Sequence, residues 1–339
     1  MSDVREDGGA TQRKLISVVT PCYNEENNVE ACWTRLRAIL EAMPDYDYEH
    51  IFADNCSTDR TPEILREIAA KDHRVKVIFN AANFGAARSL LNAQRAASGD
   101  VVVAYMPADL QDPPELIPDM VALWERGYQV VYGVRADRDE NKLLFALRRL
   151  FYRIVNASAR FQVPVNAGDF QVVDRTVIEA LRHSRDYYPY VRGMIASYGF
   201  RSIGVNYKMT RRTADKSKAN WFVLIDQAIN AVISVSQTPL RIAMFVGFCL
   251  ALLSVLYGLL QLILVLFLGV SAPPGVTTLM IAVFFLSGGQ LFFMGLIGEY
   301  VGAVHAMVRE RPMVIERERV NFSVAVGDGI RENGPNGSG

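Results

Sequence analysis

The sequence predicts an α/β protein in which a mostly parallel, doubly wound sheet is followed by a pair of apolar C-terminal helices. Short β-branched runs alternate with helical stretches over the first part of the chain, the order typical of a parallel sheet with helices on both faces. Farther along, residues 242–298 contain no Asp, Glu, Lys, Arg or His. Helices of soluble domains rarely stay apolar on every face for so long.

The elements of the sheet follow from these patterns in chain order. Residues 1–14 are predicted to be a disordered tail, since the polar start shows no apolar stretch typical of a signal peptide. Thr61-Pro62-Glu63 indicates a helix start with an early proline, and Asp112-Pro113-Pro114-Glu115 has the spacing of a capping box. The predicted strands are Leu15–Thr20, His50–Ala53, Val75–Phe79, Val101–Tyr105 and Gln129–Tyr132, and the predicted helices are about 26–43, 61–71, 85–98 and 114–126.

The residues that follow each predicted strand are unusually polar. Ligands of a doubly wound sheet bind beyond the carboxyl ends of its strands, so these residues are candidates for a site. Any of them could instead be a turn or cap residue; that alternative is open for Asp59, and its capping-box position favours it for Asp112. In strand order the segments are Pro21–Glu26, Asp54–Asp59, Asn80 with Asn83, Pro107–Asp112, and Gly133 with Arg135.

No glycine-rich phosphate loop follows the first strand, which disfavours a dinucleotide dehydrogenase or a P-loop kinase. Without backbone N–H groups around it, a nucleotide diphosphate needs another counter-charge. A Mg²⁺ or Mn²⁺ ion held by oxygen ligands such as Asp109 and Gln111 would supply that charge.

The uncharged run predicts a transmembrane hairpin. Ser271–Gly275, rich in turn-forming residues, divides it into two predicted spans, 240–269 and 277–300, each long enough to cross a bilayer. Basic residues flank the run at Arg241, Arg309 and Arg311, so the positive-inside bias puts both ends in the cytoplasm. A buried helical hairpin of a soluble core is the alternative.

The segments around the hairpin complete the predicted organisation. Residues 15–219 are predicted to form a cytosolic catalytic domain, and 220–238 an amphipathic helix at the membrane interface or packed on that domain. Residues 301–339 are predicted to be a cytosolic segment that ends in a disordered tail. The balanced charge gives no sign of a nucleic-acid partner, and the four cysteines show no metal or redox spacing.

Four segments at the predicted strand ends together resemble the inverting glycosyltransferase family two, which has the GT-A fold. They are Thr20–Glu26, Asp54–Asp59, Asn83–Gly85 and Ala108–Glu115. Later segments resemble the polyprenyl-phosphate glycosyltransferases within that family, the group of dolichyl-phosphate mannose synthase and the bacterial bactoprenol glucosyltransferases. These are Gly168–Gln171 with Asp174-Arg175, Arg212–Lys218, and Gly298–Gly302 followed by Arg311-Pro312.

The resemblance implies roles for individual residues. Asp54 would contact the nucleobase, with Pro21, Asn24, Glu25 and Asn83 around the nucleotide. Asp109 and Gln111 would hold the metal on the donor diphosphate, and Asp169 would lie at the reacting centre, so that Asp109 and Asp169 are the predicted catalytic pair. The chain departs from the family in three places: Pro107 replaces the first carboxylate of the usual Asp-x-Asp, Asn55-Cys56 replaces Asp-Gly, and Asp215 replaces a glycine.

The implied reaction joins two partners, a nucleotide-sugar donor and a polyprenyl phosphate in the bilayer. UDP-hexose is the favoured donor, GDP-mannose stays open, and the expected location is the bacterial inner membrane, with a homo-oligomer possible. The acceptor phosphate needs a cationic seat, for which the candidates are Arg135, Arg138, Arg211, Arg212 and Lys218. Two alternatives remain open: an inactive sugar-nucleotide-binding protein, suggested by Pro107, and a transferase that uses another membrane acceptor.

Overall fold

The computed structural model describes residues 13–135, 167–184, 186, 189–208, 238–268, 275–308 and 312–322. The chain divides into two compact units. The first unit comprises residues 1–118 and 314–339, and the second comprises residues 119–313.

The first unit contains five strands in the order β4-β1-β2-β3-β8. Strands β1 to β4 are parallel, as predicted, and β8 pairs antiparallel with β3. The strands are β1 (Lys14–Cys22), β2 (Tyr46–Asp54), β3 (Val75–Asn80), β4 (Val101–Val103) and β8 (Glu316–Val320); the helices between them are α1 (Val29–Glu41), α2 (Thr61–Lys71) and α3 (Ala86–Ala96).

Burial explains why the β-branched runs form strands here. Phe52 and Phe79 on neighbouring strands are fully buried, and Leu65 and Ile68 of α2 pack against them in one apolar cluster. A strand buried on both faces needs a continuous apolar run, which is the pattern that predicted these strands.

The second unit contains a three-stranded sheet in the order β7-β5-β6, in which β5 is antiparallel to β6 and parallel to β7. Of these, only β5 was predicted. Its elements are α4 (Ile117–Glu125), β5 (Val130–Arg135), β6 (Ala167–Asp174), α5 (Arg175–His183), α6 (Val191–Ser197), β7 (Ser202–Tyr207), α7 (Thr238–Leu268) and α8 (Val276–Val308).

Several predicted boundaries are corrected. β1 begins at Lys14, inside the predicted tail, and β8 lies in the predicted cytosolic segment 301–339, where no strand was predicted. The capping box at Asp112 is wrong: a short 3-10 helix begins after Pro113 without a side-chain cap, and Glu115 instead contacts Arg35 at 2.6 Å. The start of α2 at Thr61, with Pro62 in its first turn, is confirmed.

The two C-terminal helices, α7 and α8, occupy the predicted hairpin, and α8 extends eight residues past the predicted end. Over the residues that the structure describes, no helix reaches the combination of length and hydropathy used to recognise a membrane span. The predicted interfacial helix at 220–238 lies outside the described residues, apart from Thr238.

A buried histidine makes the first unit sensitive to acid. His50 is 1% exposed, and its Nε2 lies 2.9 Å from the Thr20 hydroxyl. Burial lowers the pKa of His50 from 6.5 to about 3, despite an opposing effect from Asp72. The unfolded chain therefore binds a proton below pH 6.5 that the folded chain excludes, so stability is lost as the pH falls from 6.5 towards 3.

We expect this residue to cost the folded state up to about 2 kcal/mol between pH 7 and pH 5. His50→Gln keeps a hydrogen-bonding group near Thr20 but does not titrate. The thermal midpoint of the variant should therefore fall less than that of the wild type when the pH is lowered from 7 to 5. Equal falls in both proteins would contradict the assignment.

Candidate active site

The loops after β1 and β2 are tied together by hydrogen bonds. The backbone N–H of Asn24 donates to the Ser57 hydroxyl at 2.9 Å, and the Asn24 side-chain oxygen accepts from the backbone N–H of Thr58 at 2.8 Å. Asn24 lies in the left-handed region with φ 55°. Two segments far apart in sequence thus form one rigid edge at the carboxyl ends of the strands.

Asp59 strengthens the same edge. Its carboxylate accepts from the backbone N–H groups of Glu26 at 3.2 Å and of Thr61 at 3.0 Å. Although burial acts in the opposite direction, these bonds hold the pKa of Asp59 below its usual value. The Thr61 hydroxyl also accepts from the backbone N–H of Glu25 at 2.8 Å. The turn role left open for Asp59 is the one the geometry supports.

Asp54, the predicted contact to the nucleobase, is the last residue of β2 and has no exposed surface. The backbone N–H of Ser57 donates to both of its carboxylate oxygens, at 3.3 and 3.2 Å. Burial raises the pKa of Asp54, against the lowering effects of the Ser57 bonds and the charge of Arg317. In this structure Asp54 anchors its loop, and its contact with a base stays a prediction.

A chain of amide side chains joins the ends of β2 and β3. Asn80 donates to the side-chain oxygen of Asn55 at 3.2 Å, and Asn55 donates to that of Asn83 at 2.8 Å. The backbone N–H of Gly85 also donates to Asn83, at 2.9 Å. Asn83 itself is exposed, so this network presents one of the predicted nucleotide residues at the surface.

Besides Asn321 at 60°, which follows β8, three of the described residues other than glycine have positive φ, and each lies in a loop that leaves the carboxyl end of a parallel strand. They are Asn24 at 55°, Cys56 at 63° and Leu110 at 52°. This region is uncommon for side chains, and for leucine it is strained. Such conformations concentrate at functional sites. The backbone thus marks the same edge that the polar residues mark.

The predicted metal ligands lie side by side after β4. The Gln111 amide nitrogen donates to Asp109 Oδ2 at 2.7 Å, and the Gln111 backbone N–H lies 3.3 Å from Asp109 Oδ1. If the Gln111 side-chain amide were rotated by about 180°, its oxygen rather than its nitrogen would lie beside the Asp109 carboxylate. Two oxygen donors suit Mg²⁺ or Mn²⁺ when water and a diphosphate complete the coordination. Within the described ranges, no three His, Cys, Asp or Glu side chains form a metal cluster.

Asp109 and Glu25 lie near the same buried thiol on α1. Burial raises the pKa of Cys32 to about 12; a hydrogen bond from Thr20 opposes the rise, and the charges of Asp109 and Glu25 add to it. Pro21 lies at the same edge of the sheet, near the carboxyl end of β1 and beyond the part of β1 that pairs with β4. The first unit therefore brings together all predicted nucleotide and metal residues.

In the second unit, Asp169 lies on β6 with its side chain 57% exposed. A guanidinium nitrogen of Arg192 lies 4.0 Å from its Oδ1, and Arg192 also contacts the Tyr190 hydroxyl at 2.7 Å. Arg192 was not predicted from the sequence. The signal available was its closeness in sequence to Tyr190, whose hydroxyl accepts from the guanidinium.

Arg135 also belongs to this part of the second unit. Its Nε donates to the Tyr207 hydroxyl at 3.1 Å. A Cβ atom built on Gly168 would lie 3.3 Å from that hydroxyl and 3.6 Å from Arg135 Nε, so the pair lies next to the residue before Asp169. Gly133 is required here, because a Cβ on it would lie 2.6 Å from the Tyr207 ring. Both Gly133 and Arg135 lie inside β5 rather than after it.

The remaining predicted acceptor residues fall outside the described residues. They are Arg138, Arg211, Arg212 and Lys218.

Two family profiles match the chain. Residues 17–182 match glycosyl transferase family 2, and residues 238–304 match the GtrB C-terminal hairpin. The uncharacterized glycosyltransferase YkcC of Bacillus subtilis is 33% identical over 88% of this chain and 92% of its own length. The chain belongs to glycosyl transferase family 2.

Two other similar proteins align with most of this family 2 glycosyltransferase. The SfII prophage-derived bactoprenol glucosyl transferase of Shigella flexneri is 32% identical over 88% of this chain and 96% of its own length. The mannosyltransferase PcManGT from Pyrobaculum calidifontis, solved in complex with GDP-Man and Mn²⁺, is 18% identical, with a TM-score of 0.46 over 88% of this chain and 87% of its own. The family predicted from the strand-end residues is confirmed.

Proposed function

We propose that this glycosyltransferase moves a sugar, with inversion, from a nucleotide diphosphate sugar to the phosphate of a membrane polyprenyl phosphate. The product would be a polyprenyl-phosphate sugar for cell-envelope or glycan assembly. One observation carries the proposal: a family 2 domain and a GtrB C-terminal hairpin occur on one chain. A relative that aligns with 88% of this chain is named for glucosyl transfer to bactoprenol, which supports the acceptor and a hexose donor.

A phosphate acceptor sets the chemical needs of the site. A phosphate monoester with a second pKa near 6 is largely ionised at neutral pH, so a strong general base is unnecessary. The site must instead hold the acceptor in line with the anomeric carbon and stabilise the departing diphosphate. Arg135 and Arg192 beside Gly168 and Asp169 fit the first need.

Asp109 and Gln111 fit the second need. With a divalent ion bound, their oxygen atoms would hold it against the donor diphosphate, where it would neutralise the leaving group. Members of the family usually carry a carboxylate at the position of Pro107. We therefore propose that this protein binds the metal more weakly than they do.

The hairpin is proposed to anchor the enzyme in the bacterial inner membrane as a multi-pass protein, with the catalytic part in the cytoplasm. Large apolar side chains on α7 and α8 face outward; Phe245 and Phe285 are 66% and 68% exposed. Exposed apolar surface of this kind favours a lipid environment. Protease added to inside-out vesicles should digest the N-terminal part, and its protection there would contradict this orientation.

Arg212 and Lys218 are proposed to seat the acceptor phosphate just before the hairpin. Removal of one charge-assisted contact to a phosphate should lower kcat/KM for the lipid by about 10- to 150-fold. We expect Arg212→Ala and Lys218→Ala to show this loss while KM for the nucleotide sugar stays constant. A loss confined to the nucleotide-sugar dependence would assign these residues to the donor.

The function is tested with a panel of radiolabelled sugar nucleotides. Membranes containing the protein are incubated with polyprenyl phosphate and labelled UDP- or GDP-sugars, and the label entering the organic phase is measured. Transfer from a UDP-hexose is expected. Nucleotide binding without transfer from any donor would favour the alternative suggested by Pro107, an inactive membrane-anchored sugar-nucleotide-binding protein.

A further inference from the structure

Strand β8 brings a basic residue to the edge where the nucleotide is proposed to bind. Because β8 runs antiparallel to β3, its first residues lie beside the last residues of β3. Glu316 is the register partner of Asn80, and the backbone N–H of Ala81 donates to the Ile315 oxygen at 2.9 Å. The segment that follows α8 therefore returns to the carboxyl end of the parallel strands.

A β-bulge occurs at this point. Phe79 pairs with Glu318 and Asn80 pairs with Glu316, so Arg317 is the extra residue between two ladder positions. Bulges redirect a side chain and are frequent beside active sites. The Arg317 guanidinium lies 6.0 Å from the centre of the Phe79 ring, and its charge acts on Asp54, the cross-strand partner of Phe79. The side chain thus points back across β3 towards β2.

Arg317 differs from its neighbours in its contacts. Arg319 pairs with Glu316 at 2.8 Å, and Glu318 pairs with Arg66 at 2.8 Å. Across the described part of the chain, no carboxylate forms such an ion pair with Arg317, which is exposed. An exposed guanidinium without a carboxylate partner at this edge of the sheet is available to a ligand.

The strand order indicates which part of the nucleotide would meet it. β4, which precedes the loop that carries Asp109, is four strand spacings from β8, or roughly 19 Å. If the diphosphate lies at Asp109 and the base lies by Asp54, as the resemblance to the family implies, the base is bound at the ends of β2 and β3. Asp54 is fully buried at this edge, whereas the Arg317 side chain is exposed. Arginine donates hydrogen bonds and accepts none, so its partner on a base is an acceptor, either a carbonyl oxygen or an unprotonated ring nitrogen.

We propose that Arg317 is a specificity residue that donates to a carbonyl oxygen of the donor nucleobase. The inference rests on the proposed function and adds a contact that comes from beyond the hairpin. Uracil and guanine both present a carbonyl oxygen to the guanidinium, whereas adenine has ring nitrogens as its only acceptors and an amino group where guanine has O6. The C-terminal strand then completes a pocket whose other residues lie more than 200 positions earlier in the chain.

The test measures the affinity of the purified full-length protein in detergent for uridine, UMP, UDP and ADP. Arg317→Ala should weaken uridine, UMP and UDP by the same factor, about 10-fold, and leave ADP unchanged. Arg317→Lys should restore part of the affinity, because it keeps a donor but loses the planar fork. Arg319→Ala, on the same strand but paired with Glu316, is the matched control and should bind like the wild type.

Unchanged UDP affinity in Arg317→Ala would overturn the inference while leaving the proposed function intact. A loss seen with UMP and UDP but not with uridine would also overturn it, since the contact would then be to phosphate. If the wild type binds GDP instead of UDP, the same series is run with guanosine, GMP and GDP. A wild type that binds neither nucleotide would overturn the proposed function together with this inference.

Discussion

Asp109→Ala should lower metal-dependent sugar transfer by about 1000-fold or more, equivalent to roughly 4 kcal/mol of transition-state stabilisation. Asp109 is the carboxylate beside Gln111 in the loop after β4, and Leu110 next to it has a strained backbone conformation. Loss of this carboxylate removes the charged ligand of the proposed metal. The measurement is initial rate against Mg²⁺ and Mn²⁺ concentration.

Two variants make this result specific. Asp119→Asn removes an exposed carboxylate in the first turn of α4 and should leave both the rate and the metal dependence unchanged. Pro107→Asp should lower the metal concentration needed for half-maximal rate, because it adds a second carboxylate. If Asp109→Ala kept the wild-type rate and metal dependence, the metal assignment would be wrong.

The parallel strands of the first unit were predictable because each is buried on both faces. Such strands need continuous β-branched runs, and Val101–Val103 and Val75–Asn80 show them plainly. The same rule explains what was missed. β8 reads Glu-Arg-Glu-Arg-Val, a charged sequence that only an edge strand tolerates, and β7 includes Gly204 and polar residues that interrupt the apolar pattern.

The candidate site was likewise predictable only in part. The strand-end residues could be found from the sequence, because their position follows directly from the strands that precede them. Contacts between distant segments could not be found. Arg317 reaches the edge only through the antiparallel register of β8 and its bulge, and Arg192 meets Asp169 only in the folded second unit. Local pattern carries no information on such pairings.

The burial of Asp54 shows a further limit of sequence reasoning. A carboxylate at a strand end predicts an exposed ligand, but here the Ser57 backbone N–H covers it. Asp59 likewise turns its carboxylate to the backbone of Glu26 and Thr61. Both residues shape the loops around the site, so their variants should disturb nucleotide binding through the loop conformation.

Asp169→Asn should lower kcat by about 100- to 1000-fold and leave UDP affinity within twofold of the wild type. The exposed carboxylate lies 4.0 Å from Arg192, and Arg135 lies beside the preceding residue. The Asp169 carboxylate holds the Arg192 guanidinium in place for an anionic acceptor. Loss of a preorganised charge at a reacting centre typically has an effect of this size.

Steady-state rates, measured with the lipid and the nucleotide sugar varied separately, test this prediction. Glu179→Gln is the control, because it removes a carboxylate on the same unit that pairs with Arg182 and belongs to α5 rather than to β6. A kcat for Asp169→Asn within threefold of the wild type would show that Asp169 is outside the reacting centre.

The pH dependence separates positioning from base catalysis. If the acceptor phosphate enters already ionised, kcat/KM for the lipid should rise through about pH 6 and level off above pH 7 in the wild type. Asp169→Asn should keep this profile at a lower rate, since the titrating group is on the acceptor. A profile that flattens in the variant would instead make Asp169 the group that removes the acceptor proton.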